Sequence, residues 1–233
     1  ELGATDTTAF ATSAVRDSSN GDAFLAELRE RFSLGACVLD GLEEARLTYR
    51  GAIGDRPTEG ETLVVDIGGG STELILGSAP EPHFHASLQL GVVRHSERHV
   101  RADPPRTEEL EALTDDIGAT LDAELGSRPG MKADRAIAVA GTPATLAAIE
   151  LGLDRFDPDA VEGHDLSLAS VQQSCSRLSA LPLAERAAVS GVDPARAPTI
   201  VTGIVILIKA MRAFGLDRVE VSERDILYGA ALE

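Results

Sequence analysis

Hydrophobic positions recur with a period of about 2 residues in some segments and about 3.6 in others, which indicates strands and helices in alternation. The pattern predicts strands at 7–14, 36–39, 63–67, 73–76, 86–90 and 136–140. It predicts helices at 22–32, 43–50, 144–151, 168–180, 183–189 and 198–213, a polar helical region at 96–125 interrupted by "ADPPRT", and a final strand and helix in "VEVSERDILYGAALE". A loop-rich segment precedes Leu166. Such alternation is typical of an α/β protein.

The segment "IGDRPTEGE" at 53–61 is dense in glycine, proline and charge, which favours a domain boundary there. We therefore expect one domain in residues 1–57 and a second in residues 58–233. The chain opens on "ELGATDTTAFATSAV", which has the pattern of the middle of a domain. We expect that the chain is truncated and that its first domain is incomplete.

The composition allows real hydrophobic cores and argues against two classes of protein. Of the 233 residues 43% are hydrophobic, but no stretch approaches the roughly 20 apolar residues of a membrane span. The most apolar stretch, Ile200–Ile208, is short and runs into Lys209, so we expect a buried helix there. A net charge of −17 argues against binding of nucleic acid through a basic surface. An anionic substrate would have to be attracted locally.

The cysteines and histidines do not form recognisable metal or disulfide patterns. Cys37 and Cys175 are isolated in the sequence, which fits a protein of the reducing cytoplasm. His95 and His99 lie one helical turn apart, but Ser96 stands where a zinc protease needs a glutamate. We predict no histidine metal site.

The sequence "VVDIGGGSTELILG" places three glycines between two predicted strands and between two acids. It lacks the spacing of a Rossmann or a Walker loop, so it predicts a turn between antiparallel strands whose successive N–H groups form an anion nest. Ser71 and Thr72 would add donors at its rim, and Asp66 and Glu73 could hold a hard cation such as Mg²⁺ beside the anion. The glycines of this predicted nest are Gly68, Gly69 and Gly70. The alternative is an ordinary glycine-rich hairpin.

Two further stretches could contact an anion. In "AVAGTPATLAAI", Thr142 suits a helix N-cap after Gly141, and Pro143 suits the first helical position. The N-terminus of that helix could bind an anion, although any capped helix has this pattern. In "ATSAVRDSSN", Arg16 follows a predicted strand and could clamp a phosphate, or it could form a surface salt bridge.

"GLEEARLTY" places Glu43 and Glu44 in the first turn of a predicted helix. Carboxylates there stabilise the helix through its macrodipole, so a structural role is sufficient to explain them. Only one of the two can easily face inward, and the residues alone do not choose which.

Five blocks, "ATSAVRDSSN", "GLEEARLTYRGA", "VVDIGGGSTELILG", "VAGTPATLAAI" and "VSERDILYGAAL", together resemble the exopolyphosphatase/guanosine pentaphosphate phosphatase family. That family belongs to the actin-like, sugar-kinase-like phosphotransferase superfamily, and the resemblance covers essentially the whole chain. It implies two ribonuclease-H-like domains with the active site in the cleft between them. Here the first would be incomplete in residues 1–57, and the last helix of the second could pack back on it. The family's first phosphate loop should precede "ATSAVR", and Pro143 and Ala144 depart from its usual Gly-Thr helix start.

The resemblance also implies roles for single residues. Glu44 matches the catalytic base that activates water, and Arg16 matches an arginine that contacts the phosphates. Asp66 and the glycines that follow it match the second phosphate-binding loop. Glu73 matches the carboxylate that helps to hold magnesium and the water.

The implied activity is Mg²⁺-dependent hydrolysis of the terminal phosphoanhydride of inorganic polyphosphate or of guanosine pentaphosphate, by a cytoplasmic homodimer without nucleic-acid or membrane partners. A non-catalytic sensor of polyphosphate or nucleotides is an alternative, but Glu44 and Glu73 favour the enzyme, because a binder gains nothing from carboxylates beside phosphates. A kinase or an actin-like ATPase would need a convincing adenosine pocket. We expect these 233 residues alone to be nearly inactive and to associate through their first segment.

Overall fold

The computed structural model describes residues 7–54, 56, 59–126 and 130–232 of the chain. Its backbone contacts divide the chain into two compact units, Glu1–Ala45 and Arg46–Glu233. The division lies inside a helix rather than at the predicted boundary between residues 57 and 58. The assignment of residues 1–57 and 58–233 to two domains stays a prediction.

The first unit contains a two-stranded parallel sheet and two helices. Strands β1 (Ala9–Ala11) and β2 (Ala36–Val38) pair, and the chain between them forms α1 (Ser13–Arg16) and α2 (Gly21–Phe32). The prediction of a strand over 7–14 was wrong after residue 11. There the N–H groups of Val15 and Arg16 donate to the carbonyl oxygen of Thr12 at 3.0 Å, which begins a helical turn. Small hydroxylated residues favour such local turns over a strand.

The second unit is built on a mixed sheet of six strands in the order β5-β4-β3-β6-β8-β7. The strands are β3 (Thr62–Ile67), β4 (Thr72–Ser78), β5 (Glu81–Leu88), β6 (Arg135–Val139), β7 (Asp165–Ser167) and β8 (Arg218–Ser222). Strand β3 runs parallel to β6, and β6 runs parallel to β8, whereas the pairs β3–β4, β4–β5 and β7–β8 are antiparallel. Because the carboxyl ends of parallel neighbours meet at one edge of a sheet, the segments that follow β3 and β6 lie side by side.

The helices cover the sheet and supply its core. They are α3 (Gly41–Ile53), α4 (Val92–His99), α5 (Thr107–Leu125), α6 (Gly141–Glu150), α7 (Pro158–Val161), α8 (Leu168–Ser179), α9 (Leu183–Ala187), α10 (Ile200–Ala213) and α11 (Ile226–Ala231). Helix α10 is buried along most of its length, as its apolar sequence predicts. Leu63 and Val65 of β3 share the main core with this helix, so the alternate residues Val64 and Asp66 face the other side of the sheet. Within the described ranges, no helix is both long and apolar enough to cross a membrane.

The predicted elements occur in the predicted order, but α1, α7 and β7 were not predicted; among the predicted strands, β5 differs most in its bounds. It covers Glu81–Leu88 instead of the predicted 86–90, although it contains Pro82. Strand β5 is an edge strand, where the N–H group that proline lacks is not needed for the sheet. His83 and His85 are exposed on either side of the buried Phe84.

A buried arginine fixes the irregular segment 188–199 that leads from α9 to α10. Arg186 is 3% exposed. Its guanidinium group donates to the carbonyl oxygens of Leu178 at 2.8 Å, Leu181 at 2.8 Å and Ala197 at 3.2 Å. Burial lowers the pKa of this arginine from its very high usual value. One buried side chain therefore links the end of α8 and the segment before α9 to Ala197 in the irregular segment.

Candidate functional site

The three glycines form the predicted turn between the antiparallel strands β3 and β4. The N–H group of Gly68 donates to the carbonyl oxygen of Ser71 at 2.9 Å and closes the turn. None of the three glycines is among the residues with positive φ. A Cβ atom on Gly70 would have no heavy atom within 4 Å, and one on Gly69 would lie 3.6 Å from Cγ2 of Val93, an ordinary contact. Neither backbone conformation nor packing inside the chain therefore requires glycine at these two positions.

The start of helix α4 orients the turn. The N–H groups of Val92 and Val93 donate to the carbonyl oxygens of Gly68 and Gly69, each at 3.0 Å. Because a trans peptide group points its C=O and N–H in opposite directions, the N–H groups of Gly69 and Gly70 point away from α4. The predicted nest thus has two outward N–H groups instead of three, because the N–H group of Gly68 is bonded to Ser71.

The two predicted metal-binding carboxylates lie together on one face of the sheet. Asp66 and Glu73 are directly opposed residues of β3 and β4, so their side chains share a face. Oε1 of Glu73 accepts hydrogen bonds from the hydroxyl groups of Ser71 at 2.7 Å and Ser87 at 3.0 Å. These bonds hold the Glu73 carboxylate in one orientation beside Asp66.

The prediction that Ser71 and Thr72 donate at the rim of the nest is wrong for Thr72. Its hydroxyl group is buried and donates to the carbonyl oxygen of Leu90 at 2.5 Å. The hydroxyl group of Ser71 orients Glu73. The hydroxyl groups of both side chains are therefore used for contacts within the protein.

The second junction, between β6 and α6, differs from its prediction. The N-cap is Ala140, helix α6 starts at Gly141, and no side chain caps it. Thr142 therefore is not the N-cap, and Pro143 is the third helical residue rather than the first. Thr142 is buried against helix α10, where a Cβ atom on Gly203 would lie 2.2 Å from its Oγ1. Thr142, which the sequence predicts as a helix cap, instead lies where α6 and α10 approach each other closely.

Ala140 adopts φ 72° and ψ −170° at this junction. That region is essentially restricted to glycine, and an alanine in it stores roughly 1–3 kcal/mol of backbone strain. Strain of this kind is found where the surrounding structure fixes a functional conformation. The following N–H groups, at the start of α6, face the same edge of the sheet as the glycine turn.

Arg196 is a site residue that the sequence analysis missed. A Cβ atom on Gly141 would lie 1.4 Å from Nη1 of Arg196, so the guanidinium group covers the N-terminus of α6 and only glycine leaves room for it. The N–H group of Arg196 donates to the carbonyl oxygen of Asp193 at 2.8 Å, within the segment that Arg186 fixes. The sequence signal was weak, because "VDPARAP" has no motif beyond an arginine in a proline-rich loop.

A cavity of about 800 Å³ joins the two junctions. It is lined by residues of the glycine turn, the start of α4, the start of α6 and the segment before α10, among them Gly68, Gly69, Val93, Ala140, Gly141, Thr142 and Arg196. Glu223 and Asp225 also line it. Burial, followed by the charges of Glu162 and Asp225, raises the pKa of Glu223, and Arg196 opposes this. Gly70, Ser71, Thr72, Asp66 and Glu73 are not among the lining residues.

The first unit contains the other two predicted residues, and they are paired. Nη1 of Arg16 donates to Oε2 of Glu44 at 3.0 Å and to the carbonyl oxygen of Leu39 at 2.8 Å. The side chain of Glu44 is 12% exposed. The ion pair fixes the orientation of the Glu44 carboxylate.

Glu43 has a different role from its neighbour. Oδ1 of Asp40 accepts the N–H groups of Leu42 at 2.9 Å and Glu43 at 2.8 Å, so Asp40 caps helix α3. The exposed Glu43 carboxylate reaches back to the N–H group of Asp40 at 3.4 Å and completes a capping box. The spacing of Asp40 and Glu43 could have indicated this from the sequence. Glu44 is then the inward-facing carboxylate.

Comparison with known proteins gives the family. The sequence pattern of the Ppx/GppA phosphatase family matches residues 1–231. The chain belongs to this family. It is similar to exopolyphosphatase 2 of Mycobacterium tuberculosis, with 35% identity over 234 residues that cover 95% of this chain and 72% of the relative. It is also similar to a guanosine-5'-triphosphate,3'-diphosphate pyrophosphatase of Pseudoalteromonas atlantica, with 27% identity over 223 residues that cover 94% of this chain and 43% of the relative.

Solved structures show the same likeness. The crystal structure of the Aquifex aeolicus member of the Ppx/GppA family has a TM-score of 0.85 and 30% identity, over 97% of this chain and 72% of that one. The resemblance that the five sequence blocks indicated is thus confirmed, together with the α/β fold of the actin-like ATPase class. The predicted class of enzyme, a phosphoanhydride hydrolase, is confirmed as well. The roles of the individual residues stay predictions.

The carboxylates of this Ppx/GppA chain suit the magnesium ion that its sequence predicts. Mg²⁺ in phosphoryl-transfer sites usually takes one or two protein carboxylates and completes its shell with phosphate oxygens and water. Asp66 and Glu73, opposed on one sheet face, supply that number. Among the described residues, no group of three or more His, Cys, Asp and Glu side chains could form a complete protein cage for a metal.

Proposed function

We propose that this chain hydrolyses the terminal phosphoanhydride of inorganic polyphosphate and releases phosphate. The observation that carries the proposal is the glycine turn, where two N–H groups point outward from glycines that no contact inside the chain requires. Glycine at such positions lets a ligand approach the backbone closely. A phosphate oxygen is the ligand that paired N–H groups favour.

In this proposal the terminal phosphates lie between the cavity and the outer side of the glycine turn at its edge, and they are held by charge neutralisation. Phosphoryl transfer through a loose transition state asks the protein for position and electrostatic stabilisation rather than for covalent chemistry. The N–H groups of Gly69 and Gly70 provide one set of donors. The guanidinium group of Arg196 and the N-terminus of α6 at Gly141 and Thr142 provide another.

Glu44 is the proposed base that orients and deprotonates the attacking water, and Arg16 is a proposed phosphate contact. The ion pair of Arg16 with Glu44 supports both roles, because one guanidinium group can orient the carboxylate and still present its other N–H groups to a phosphate. Asp66 and Glu73 would hold Mg²⁺, and Glu73 would also position the water. When bound, the ion neutralises charge on the phosphate oxygens.

Guanosine pentaphosphate is the alternative substrate, because relatives of this chain carry the names of both activities. A homodimer is a further proposal that rests on the family alone, and sedimentation of the purified protein tests it. A non-catalytic sensor of polyphosphate would bind without releasing phosphate.

The decisive experiment measures phosphate release from polyphosphate, guanosine pentaphosphate and ATP by the wild type, Glu44→Gln and Glu43→Gln. Glu44→Gln keeps the shape of the side chain but removes the base, so kcat should fall by about 10²–10⁴-fold. Glu43→Gln is the matched control, because Glu43 is exposed and caps the helix. A crippled Glu43→Gln with a mild Glu44→Gln would contradict the assignment. Binding of polyphosphate without any release by the wild type would favour the sensor.

A further inference from the structure

Helix α4 connects the glycine turn to the core of the second unit. On this helix, the hydroxyl group of Ser96 forms a buried hydrogen bond of 2.7 Å with the hydroxyl group of Thr202 on α10. Nε2 of His99 lies 2.8 Å from Oδ2 of Asp116 on α5. The first turn of α4 binds the carbonyl oxygens of the glycine turn. The helix is therefore held by the core at one side and holds the turn at its start.

His95 lies at the centre of this arrangement and is 2% exposed. Its Nδ1 is 3.1 Å from the carbonyl oxygen of Gly91, which also accepts the backbone N–H group of His95 at 3.0 Å. A carbonyl oxygen only accepts, so Nδ1 must carry a proton. In the neutral ring Nε2 is then unprotonated, 3.6 Å from Oδ2 of Asp116. The imidazole ring fixes the orientation of the peptide group of Gly91.

Gly91 transmits that orientation to the glycine turn by direct backbone contact. A Cβ atom on Gly91 would lie 2.2 Å from the carbonyl oxygen of Gly69 and 2.4 Å from Cα of Gly70. Two segments of backbone this close cannot move independently. A shift of Gly91 must therefore move the two N–H groups that face away from α4.

We propose that His95 is a positioning residue for phosphate: through Gly91 it holds the N–H groups of Gly69 and Gly70 in the geometry that binds the anion. The proposal rests on the proposed function for its kinetic test only, because the geometry of the turn can be measured without turnover.

The surroundings of His95 keep its imidazole ring neutral at neutral pH, with the proton on Nδ1. Burial lowers the pKa of His95. Asp116 on α5 and the bond with Gly91 raise it in part, and Arg98 and His99 on its own helix lower it. Thr202 of α10, which forms a hydrogen bond with Ser96 of α4, is uncharged. His95 is thus neutral at neutral pH, and its protonation belongs to the acid side of its usual value near 6.5.

The test compares the wild type with His95→Leu, which keeps the buried volume but loses the donor, and His95→Asn, whose amide group can replace Nδ1. His99→Asn is the matched control, because it breaks the contact with Asp116 but not the one with Gly91. One measurement is the amide exchange protection of Val92 and Val93, whose N–H groups bind the turn. The other is kcat and KM for tripolyphosphate at neutral pH.

For His95→Leu we expect protection of Val92 and Val93 to fall by about 5-fold, and KM to rise by a similar factor with kcat nearly unchanged, which is the effect of one lost hydrogen bond. His95→Asn should restore both. Unchanged protection in His95→Leu, or an equal loss in His99→Asn, would overturn the proposal. If no variant turns over any substrate, the proposed function fails while the protection data still decide the role of His95.

Discussion

The segments that follow β3 and β6 lie side by side and use glycine in opposite ways. After β3, Gly69 and Gly70 have ordinary φ angles and no neighbour that a Cβ atom would displace. After β6, the residue with the glycine-like conformation is Ala140, at φ 72°, and the neighbouring Gly141 makes room for Arg196. The comparison separates three reasons for a glycine: the conformation of its own backbone, the space needed by another side chain, and the space needed by a ligand.

The two segments differ in what occupies the space beside their glycines. The β3 segment leaves space that a ligand can fill, whereas the β6 segment fills its own space with a guanidinium group. A substitution that adds one methyl group should therefore affect binding at the first segment without affecting the fold. At the second, it should act through Arg196.

The largest effect is expected for Gly69→Ala. Its Cβ atom fits beside Val93 and the φ angle suits alanine, so the free energy of unfolding should stay within about 1 kcal/mol of the wild type. The same methyl group would keep a phosphate from the paired N–H groups, and kcat/KM should fall by about 100-fold, as for the loss of a preorganised donor. Gly35→Ala, whose Cβ atom would have no heavy atom within 4 Å, is the control for both measurements. Full activity of a folded Gly69→Ala would break the comparison.

Gly141→Ala should have the next largest effect, about 10-fold on KM. The new Cβ atom coincides with the guanidinium group of Arg196, the end of a flexible side chain that can swing away, so the fold should persist. Arg196→Gln should raise KM by a similar factor, since a charge-assisted hydrogen bond contributes about 1.5–3 kcal/mol. The double variant should be no worse than either single one, because both remove the same interaction. Additive effects in this cycle would show that Gly141 acts independently of Arg196.

Ala140→Gly should stabilise the protein, in contrast to most substitutions by glycine. Relief of the strained φ angle is worth roughly 1–3 kcal/mol, and the greater freedom of glycine in the unfolded chain offsets up to about 1 kcal/mol of it. Thermal unfolding should therefore shift upward by about 2–4 °C. A lower Tm would mean that contacts of the Ala140 methyl group outweigh the strain.

The smallest effect is expected for Glu223→Gln, and it depends on pH. Since burial raises the pKa of Glu223 in the folded protein, the unfolded chain ionises first as the pH rises. The contribution of Glu223 to stability is thus complete below the usual glutamate pKa and is lost as the pH rises through the folded value. Glu223→Gln should have a higher Tm than the wild type at pH 7, and the difference should shrink toward pH 4. A difference that is constant with pH would contradict the proposed desolvation.

The sequence predicted the order of the elements because most of them have a clear apolar period. The buried helix α10 and the paired strands β3 and β4 are examples. Prediction failed where a local signal competed with tertiary position. The predicted strand at 86–90 misses the start of β5, which contains Pro82 and lies at a sheet edge. Thr142 had the pattern of an N-cap, but it packs against Gly203 instead.

The candidate site was predictable only where one residue type has one chemical use. Three consecutive glycines before a strand indicate a ligand because few other needs explain them. Arg196 could not be found in this way, because an arginine in a loop has many uses and its contact with Gly141 spans a large separation in sequence. The capping-box spacing of Asp40 and Glu43 could have separated Glu43 from Glu44, but the ion pair of Glu44 with Arg16 could be seen only in the structure.

Arg186 determines how the irregular segment 188–199 should respond to proteases. An exposed segment without helix or strand is normally a preferred site of cleavage. Here the planar guanidinium group ties Ala197, next to Arg196, to Leu178 and Leu181, and the ammonium group of a lysine cannot span the same three acceptors. Limited proteolysis should therefore spare this segment in the wild type and cut it first in Arg186→Lys. The rate of cleavage would then depend on one buried side chain rather than on the composition of the loop.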